Sequence, residues 1–470
     1  MSLRKNDPAV IKFGDQYLKM ACVLECCAGG SGPYGNRKIF FDSWAEDPTE
    51  LPGIYSSVEA HTIRGYAEKL GTATDASKEL KFMGMLNTAR REFVKKYDIF
   101  DLIERLEDTA CEIKDPIRKQ TRVDQVNGLY ALAHVLLYDI GLSSYCPPFP
   151  KIVESMTGIS PAMIPTIEEL NKQRDEVSAL LIKRGYSGSS EQYIGPCIPE
   201  KFKNQVAAWK SDLGRLSKEQ FLEIYKKNVE KLVRAMKRKI PGFPAEARVK
   251  IITPEEVGFD RYRSGSFDYG RGGRYMAETR VTPDKGMTLL DLARVNAHEI
   301  GMHFRQAVLY HKHYIKTRDK LGATGTMCSN LSITDEGLAE LGTKIYETEL
   351  VDIFGKKIMQ DNVIADKLEE LATAAMPFET NRARNLNDIT REGMIQELID
   401  YGVDKQRAVR RTEGIFNPLM TIKILAYYGV TYWQGGKFIR GLIKKYGLES
   451  VLDKCKEPIS LVALSKALEN

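Results

Sequence analysis

Histidine is scarce in this chain, with 6 residues in 470. Any pattern that places two of them beside an acid therefore stands out. A long apolar run is also missing. The best stretch, residues 128–142, is interrupted by His134 and Asp139 and is too short to span a bilayer. Residues 1–20 carry Lys, Arg and Asp throughout and lack the apolar core of a secretory signal. Cysteine is sparse, at 8 residues including the adjacent pair Cys26 and Cys27, which does not resemble a disulfide framework. A reducing, cytoplasmic setting and no membrane partner are the expectation. Charge of one sign is lacking too: 69 basic against 63 acidic residues leave only +6, too mild to argue for nucleic acid. The densest basic run, 234–239, reads as a solvated helix face with some affinity for an acidic substrate or partner.

What is present is an ordinary globular composition, 43% hydrophobic and 28% charged, in a chain too long for one core. Helical periodicity dominates. It covers roughly residues 58–70, 79–96, 99–113, 122–140, 167–184, 217–239, 288–314, 336–352, 361–375, 389–412 and 420–446. Ser217 with Gln220, and Thr288 with Asp291, make capping boxes. Strand-like alternation occurs at 247–252 and 273–281, with a Gly-, Arg- and Tyr-rich turn or loop over 261–273. The expected fold is mainly α with a small β-sheet. The proline cluster at 146–150 suggests two regions: 1–150, helical and of unknown role, and 151–470, carrying the motifs.

The chemistry is concentrated in Asn296-Ala-His298-Glu299-Ile-Gly301-Met-His303, inside the amphipathic pattern 288–314. Imidazoles ligate zinc, and a neighbouring carboxylate can act as general base toward water. Metal-binding histidines on a regular helix stand four apart, where their rings are separated by only about 40°. Here the interval is five, which leaves about 140° between them. One ion can be shared only if the helix is distorted, and an i→i+5 π-bulge is the obvious device. Gly301 weakens the helix between the two rings. A distorted turn is therefore expected at 299–303.

A third ligand is sought in Thr334-Asp335-Glu336-Gly337-Leu338-Ala339-Glu340, which reads as the opening of a helix. A carboxylate in a first turn is favoured by the free N–H groups and the dipole. Glu336 is preferred, with Asp335 and Glu340 as fallbacks. Glu340, one turn on, could instead hold a His ring from behind. Glu299 is assigned to proton transfer rather than to the ion. His311 and His313 read as exposed or structural, and His61 and His134 as structural. Cys22, Cys26 and Cys27 read as buried structural thiols.

These motifs resemble those of the microtubule-associated tyrosine carboxypeptidases and their bacterial relatives, the QEGLA-motif proteins. More loosely they resemble a bacterial metallopeptidase family with HExxPGHH and EGWA motifs. The likeness covers about 160–450 and is specific at 298–303 and 334–339. It implies a zincin-like, largely helical metallopeptidase, with His298, His303 and Glu336 on Zn2+ and Glu299 catalytic. Ala408-Val409-Arg410-Arg411 is similar to a basic segment of the first family, and Tyr432 with Gly435 to a Tyr-x-x-Gly element. By that likeness Arg410 grips a C-terminal carboxylate and Tyr432 donates to the developing oxyanion. The chain departs from the second family in having HEIGMH. It carries no match to either over 1–150.

The expectation is a cytoplasmic zinc hydrolase, a metallo-carboxypeptidase acting on peptide or protein C-termini. A small-molecule amidohydrolase with the same site is one alternative. A non-catalytic helical interaction protein with a relic motif is another. The glycine-rich stretch 29–38 lacks the Gly-Lys-Ser/Thr end of a phosphate loop and reads as a loop. Residues 270–273 read as a hairpin edge beside the cleft.

Overall fold

The computed structural model describes residues 7–30, 41–44, 53–72, 75–186, 200–252, 266–269, 274–280, 287–326, 329–385, 390–400, 405, 408–409, 412 and 424–470. The described residues are mainly helical, with two small sheets among them. The chain forms two compact units, each assembled from separated stretches. The first comprises Met1–Met163, Leu309–Asp335 and Gly414–Asn470; the second comprises Ile164–Val308 and Glu336–Glu413. The linear division at residue 150 expected from the proline cluster differs from this arrangement. The segment 149–157 continues the first unit as a helix, and the last 57 residues return to it.

In the first unit, helix α1 (Pro8–Cys27) begins with Pro8 and with Asp7, whose carboxylate accepts from the Ala9 N–H. Lys12, Asp15 and Lys19 make a short exposed stripe in its first half, and from Met20 through Cys27 every position is buried. The second half therefore has no polar face to mark a period. Helix α2 (Val58–Gly71) lies against α3 (Ala76–Tyr97). Helix α4 (Ile99–Glu112) turns Ile99, Leu102, Ile103, Leu106 and Ala110 inward and packs on α1 and α5 (Pro116–Asp139). Arg122 of α5, fully buried, pairs with equally buried Asp319, and His313 Nε2 stands 3.4 Å from the same carboxylate. The C-terminal helix Leu461–Glu469 covers part of α5, and its cap residue Ser460 donates to Asp124. Strands β1 (Phe41–Trp44) and β5 (Thr324–Thr326) form an antiparallel pair that alternation in the sequence did not disclose.

In the second unit, α7 (Ile167–Lys183) and α9 (Lys218–Lys239) both start with reciprocal capping boxes, Thr166 with Glu169 and Ser217 with Gln220. Helix α8 is Glu200–Asp212. The strands expected at 247–252 and 273–281 appear as β2 (Arg248–Ile252) and β4 (Met276–Arg280), paired in parallel. A third strand, β3 (Ser266–Tyr269), pairs antiparallel with β4 and gives the order β2-β4-β3. It lies inside the stretch read as a loop, because four residues are too short to show alternation against flanking glycines. The Tyr225 hydroxyl and Thr279 Oγ1 stand 2.6 Å apart and tie α9 to β4. Helix Asn362–Asn385 packs along α7.

Candidate metal centre

The stretch 288–317 is a helix in three pieces. Thr288 and Asp291 cap its start reciprocally, as the capping box requires. An α-helical piece, Leu289–Asn296, gives way to a π-helical piece, Ala297–Phe304, and α geometry resumes over Arg305–Thr317. The distortion expected at 299–303 is thus present and extends over eight residues. A π turn is wider than an α turn and needs room. Glycines supply it on two sides. A Cβ on Gly301 would stand 2.9 Å from the Tyr346 ring, and one on Gly342 would stand 2.3 Å from the Ala297 carbonyl oxygen. Gly301 therefore serves packing as well as backbone freedom.

With this geometry the two rings converge. The Nε2 atoms of His298 and His303 stand 3.0 Å apart, their ring planes crossing at 76°. Glu336 Oε2 is 3.3 Å from each. Donors about 2.0–2.1 Å from a tetrahedral ion stand about 3.3 Å from one another, so the triad has the size of one face of a metal tetrahedron. Among the described residues this is the group of His, Cys, Asp and Glu side chains close enough to share an ion. Burial alone would raise the Glu336 carboxyl. The charge and hydrogen bonds of His303 and His298 outweigh that and hold it well below the usual range. Burial would likewise lower His298, but its hydrogen bond to Glu336 prevails and raises it.

Behind the triad lies a second layer. Glu340 Oε1 is 3.9 Å from His298 Nδ1, the nitrogen turned away from Glu336. Burial, with Glu369 nearby, pushes the Glu340 carboxyl up to about 7. Arg294, one turn before His298, is clamped by Asp366, Glu369 and Asn362 of the helix Asn362–Asn385, the Asn362 bond measuring 2.7 Å. A carboxylate on the outer nitrogen of a ligand histidine fixes its ring and tautomer. Glu299 sits on the same π turn, within electrostatic reach of His298 and of Tyr225.

The structure brings together some of the residues that the sequence singled out and separates others. Glu336 joins the two histidines, but not from a first helical turn. Its helix runs Asn330–Ala339, two residues of Ser329-Asn-Leu-Ser332 bonding side chain to backbone at its start, and the expected single helix 336–352 is broken into shorter pieces. The dipole argument for Glu336 therefore fails, and its place is set by packing. Asp335 is not in the triad; its carboxylate accepts from the Tyr310 hydroxyl at 2.7 Å. His311 is buried and His313 half-buried, so neither is exposed. Tyr432 is half-buried on the helix Ile424–Tyr446 of the first unit, whereas the triad belongs to the second. Arg410 and residues 270–273 lie outside the described residues. Arg294 and Glu369 escaped the sequence reading. Their signal, a basic residue one turn before the motif, is too common to single out.

No protein-family model matches the chain, and no curated protein does. Among solved structures it resembles a protein of Shewanella oneidensis, provisionally described as a lipoprotein of unknown function. The TM-score is 0.47 at 13% identity, over 98% of this chain and 99% of that one. It also resembles a protein of Colwellia psychrerythraea, again provisionally described as a lipoprotein. There the TM-score is 0.46 at 14% identity over 87% of this chain, which spans 66% of that chain's length. Neither superposition is close enough to carry an argument about this chain.

Proposed function

We propose that this protein is a metal-dependent hydrolase of zincin-like, mainly helical architecture, most directly a zinc metallopeptidase that trims peptide or protein C-termini. The observation that supports it is the convergence of His298 Nε2, His303 Nε2 and Glu336 Oε2 within 3.0–3.3 Å across a π turn. Two imidazoles and one carboxylate are a donor set that suits zinc and leaves a fourth position open. A divalent cation held there supplies Lewis acidity, polarising a carbonyl and acidifying water.

The chain's own residues account for the rest of the chemistry. Glu299, next to a ligand in sequence but outside the triad, accepts a proton from the attacking water and returns it to the leaving amine. The scissile C–N bond breaks, a C–O bond forms, and one water is consumed. Glu340, 3.9 Å from the outer nitrogen of His298, favours the ring tautomer that leaves Nε2 facing Glu336. The carboxypeptidase form of the proposal asks for a cation on the substrate's terminal carboxylate and a donor to the oxyanion, the roles that the motif resemblance gives Arg410 and Tyr432. A cytoplasmic location goes with this reading on the strength of the cysteine pattern.

Elemental analysis of the purified protein tests the site. About one equivalent of zinc is expected in the wild type, and its loss in His303→Ala. Glu299→Gln is expected to retain the metal and to lose turnover by about 10²–10⁴-fold. A peptide library with free and amidated C-termini reports the specificity: trimming of free ends alone is expected. Well-folded protein with no bound metal, or full activity in Glu299→Gln, overturns the proposal.

A further inference from the structure

The last three turns of α9 carry a second feature that the metal chemistry leaves unused. A cavity of about 570 Å³ is lined by Lys231, Arg234, Lys237 and Arg238. Positions 231, 234 and 238 fall within about 60° of one another on a helix and span about 10 Å along its axis. Their neighbour Lys239 adds a fifth cation. Two carboxylates face the five. Asp352 takes Lys231 at 2.8 Å, and Glu349 takes Lys239 at 2.8 Å and Arg238 at 3.7 Å. Lys237 Nζ donates to the Ala245 carbonyl. Arg234, exposed, has neither an ion pair nor a hydrogen bond among the described residues.

The helix dipole explains part of this. Cations in a last turn stabilise a helix by meeting its negative end, but the effect fades within one turn. Lys237, Arg238 and Lys239 meet that end of the helix, and Lys237 lines the cavity as well. Lys231 and Arg234 lie about two turns and about one and a half turns before the helix end, beyond that reach. A concave surface with excess positive charge concentrates the field and draws anions into it. Its volume falls in the range of small-molecule sites, about 300–1,000 Å³. Lysines act toward phosphate as point charges, and arginines offer a planar fork.

We propose that this cavity binds a small soluble anion carrying two or more phosphate groups, with Arg234 and Lys237 as its principal contacts. Cations staggered over about 10 Å suit charges spread along a phosphate chain better than a single anionic group. None of the cavity's lining residues belongs to the triad.

Calorimetric titration of the full-length protein with inorganic tripolyphosphate tests it. Saturable one-to-one binding is expected, weakening with added salt and falling at least tenfold in the double variant Arg234→Gln, Lys237→Gln. Both side chains are exposed, so the variant should fold as the wild type does, with circular dichroism as the check. Binding should persist in His303→Ala, which separates this site from phosphate captured by the metal. Three results would overturn it: no saturable binding, equal binding in the double variant, or equal displacement by sulfate at matched ionic strength. Binding confined to vesicles containing phosphatidylinositol bisphosphate would also overturn it, since the ligand would then be a lipid headgroup.

Discussion

At the scale of single residues, burial separates side chains of one type into different chemistries. Cys22, Cys26 and Cys27 have no exposed surface. Burial pushes all three thiols up, Cys27 to about 12, so the nucleophilic thiolate is suppressed. Cys111, on α4, is exposed. Brief iodoacetamide treatment of native protein at pH 8, followed by peptide mapping, should modify Cys111 and spare the three cysteines of α1. Labelling at Cys26 as fast as at Cys111 would contradict the packing. The histidines divide by their partners. His298 and His303 meet Glu336, while His313 lies between Asp319 and Glu457 and serves an ion network. Scarcity in the sequence marked the first pair, because two of six histidines bracket one glutamate. Nothing local marked the partners Arg294 and Glu369, whose role depends on a helix some seventy residues away.

Among the elements, the π segment carries the consequences. Its existence was legible from the five-residue interval, since two rings about 140° apart on an α-helix cannot share an ion. Its support was not. Gly342 stands among unremarkable residues, and only the packed structure shows that its missing side chain admits the Ala297 carbonyl. Gly342→Ala should cost about 1–3 kcal/mol by overpacking and, on the proposed metal function, should weaken zinc binding as well. Gly441→Ala supplies the control. Its Cβ would meet open space on a helix, so it should leave metal affinity unchanged and add up to about 1 kcal/mol of stability. Chemical denaturation with zinc titration distinguishes the two; equal effects would mean that the glycine contact does not hold the turn. Helix α1 and strand β3 show the other limit of sequence reading. One is buried on all sides over its second half and the other is only four residues long, so neither sustains the period that identifies amphipathic elements.

Over the whole molecule, the first unit depends on a buried charge pair. Burial alone would raise the Asp319 carboxyl, but the Arg122 guanidinium and His313 outweigh that and hold it well below the usual range. A carboxylate whose folded pKa is depressed contributes stability that is present above its unfolded value, about 4, and is lost as pH falls toward the folded value. Asp319→Asn should therefore flatten the acid limb of the stability profile below about pH 4. At neutral pH it should cost about 3–5 kcal/mol, because Arg122 is left buried without its partner. Urea midpoints measured from pH 3 to pH 7 check both effects, and parallel acid limbs in the two proteins would exclude the pair as their source.

The return of the final 57 residues to the first unit bears on biosynthesis. Helix α5 is complete once residue 139 has left the ribosome, yet Leu461–Glu469, which lies on it, emerges more than three hundred residues later. Throughout that interval the nascent polypeptide presents an uncovered apolar seam. A holdase chaperone has its longest window there, and translation halted before residue 461 leaves the seam without the strip that seals it.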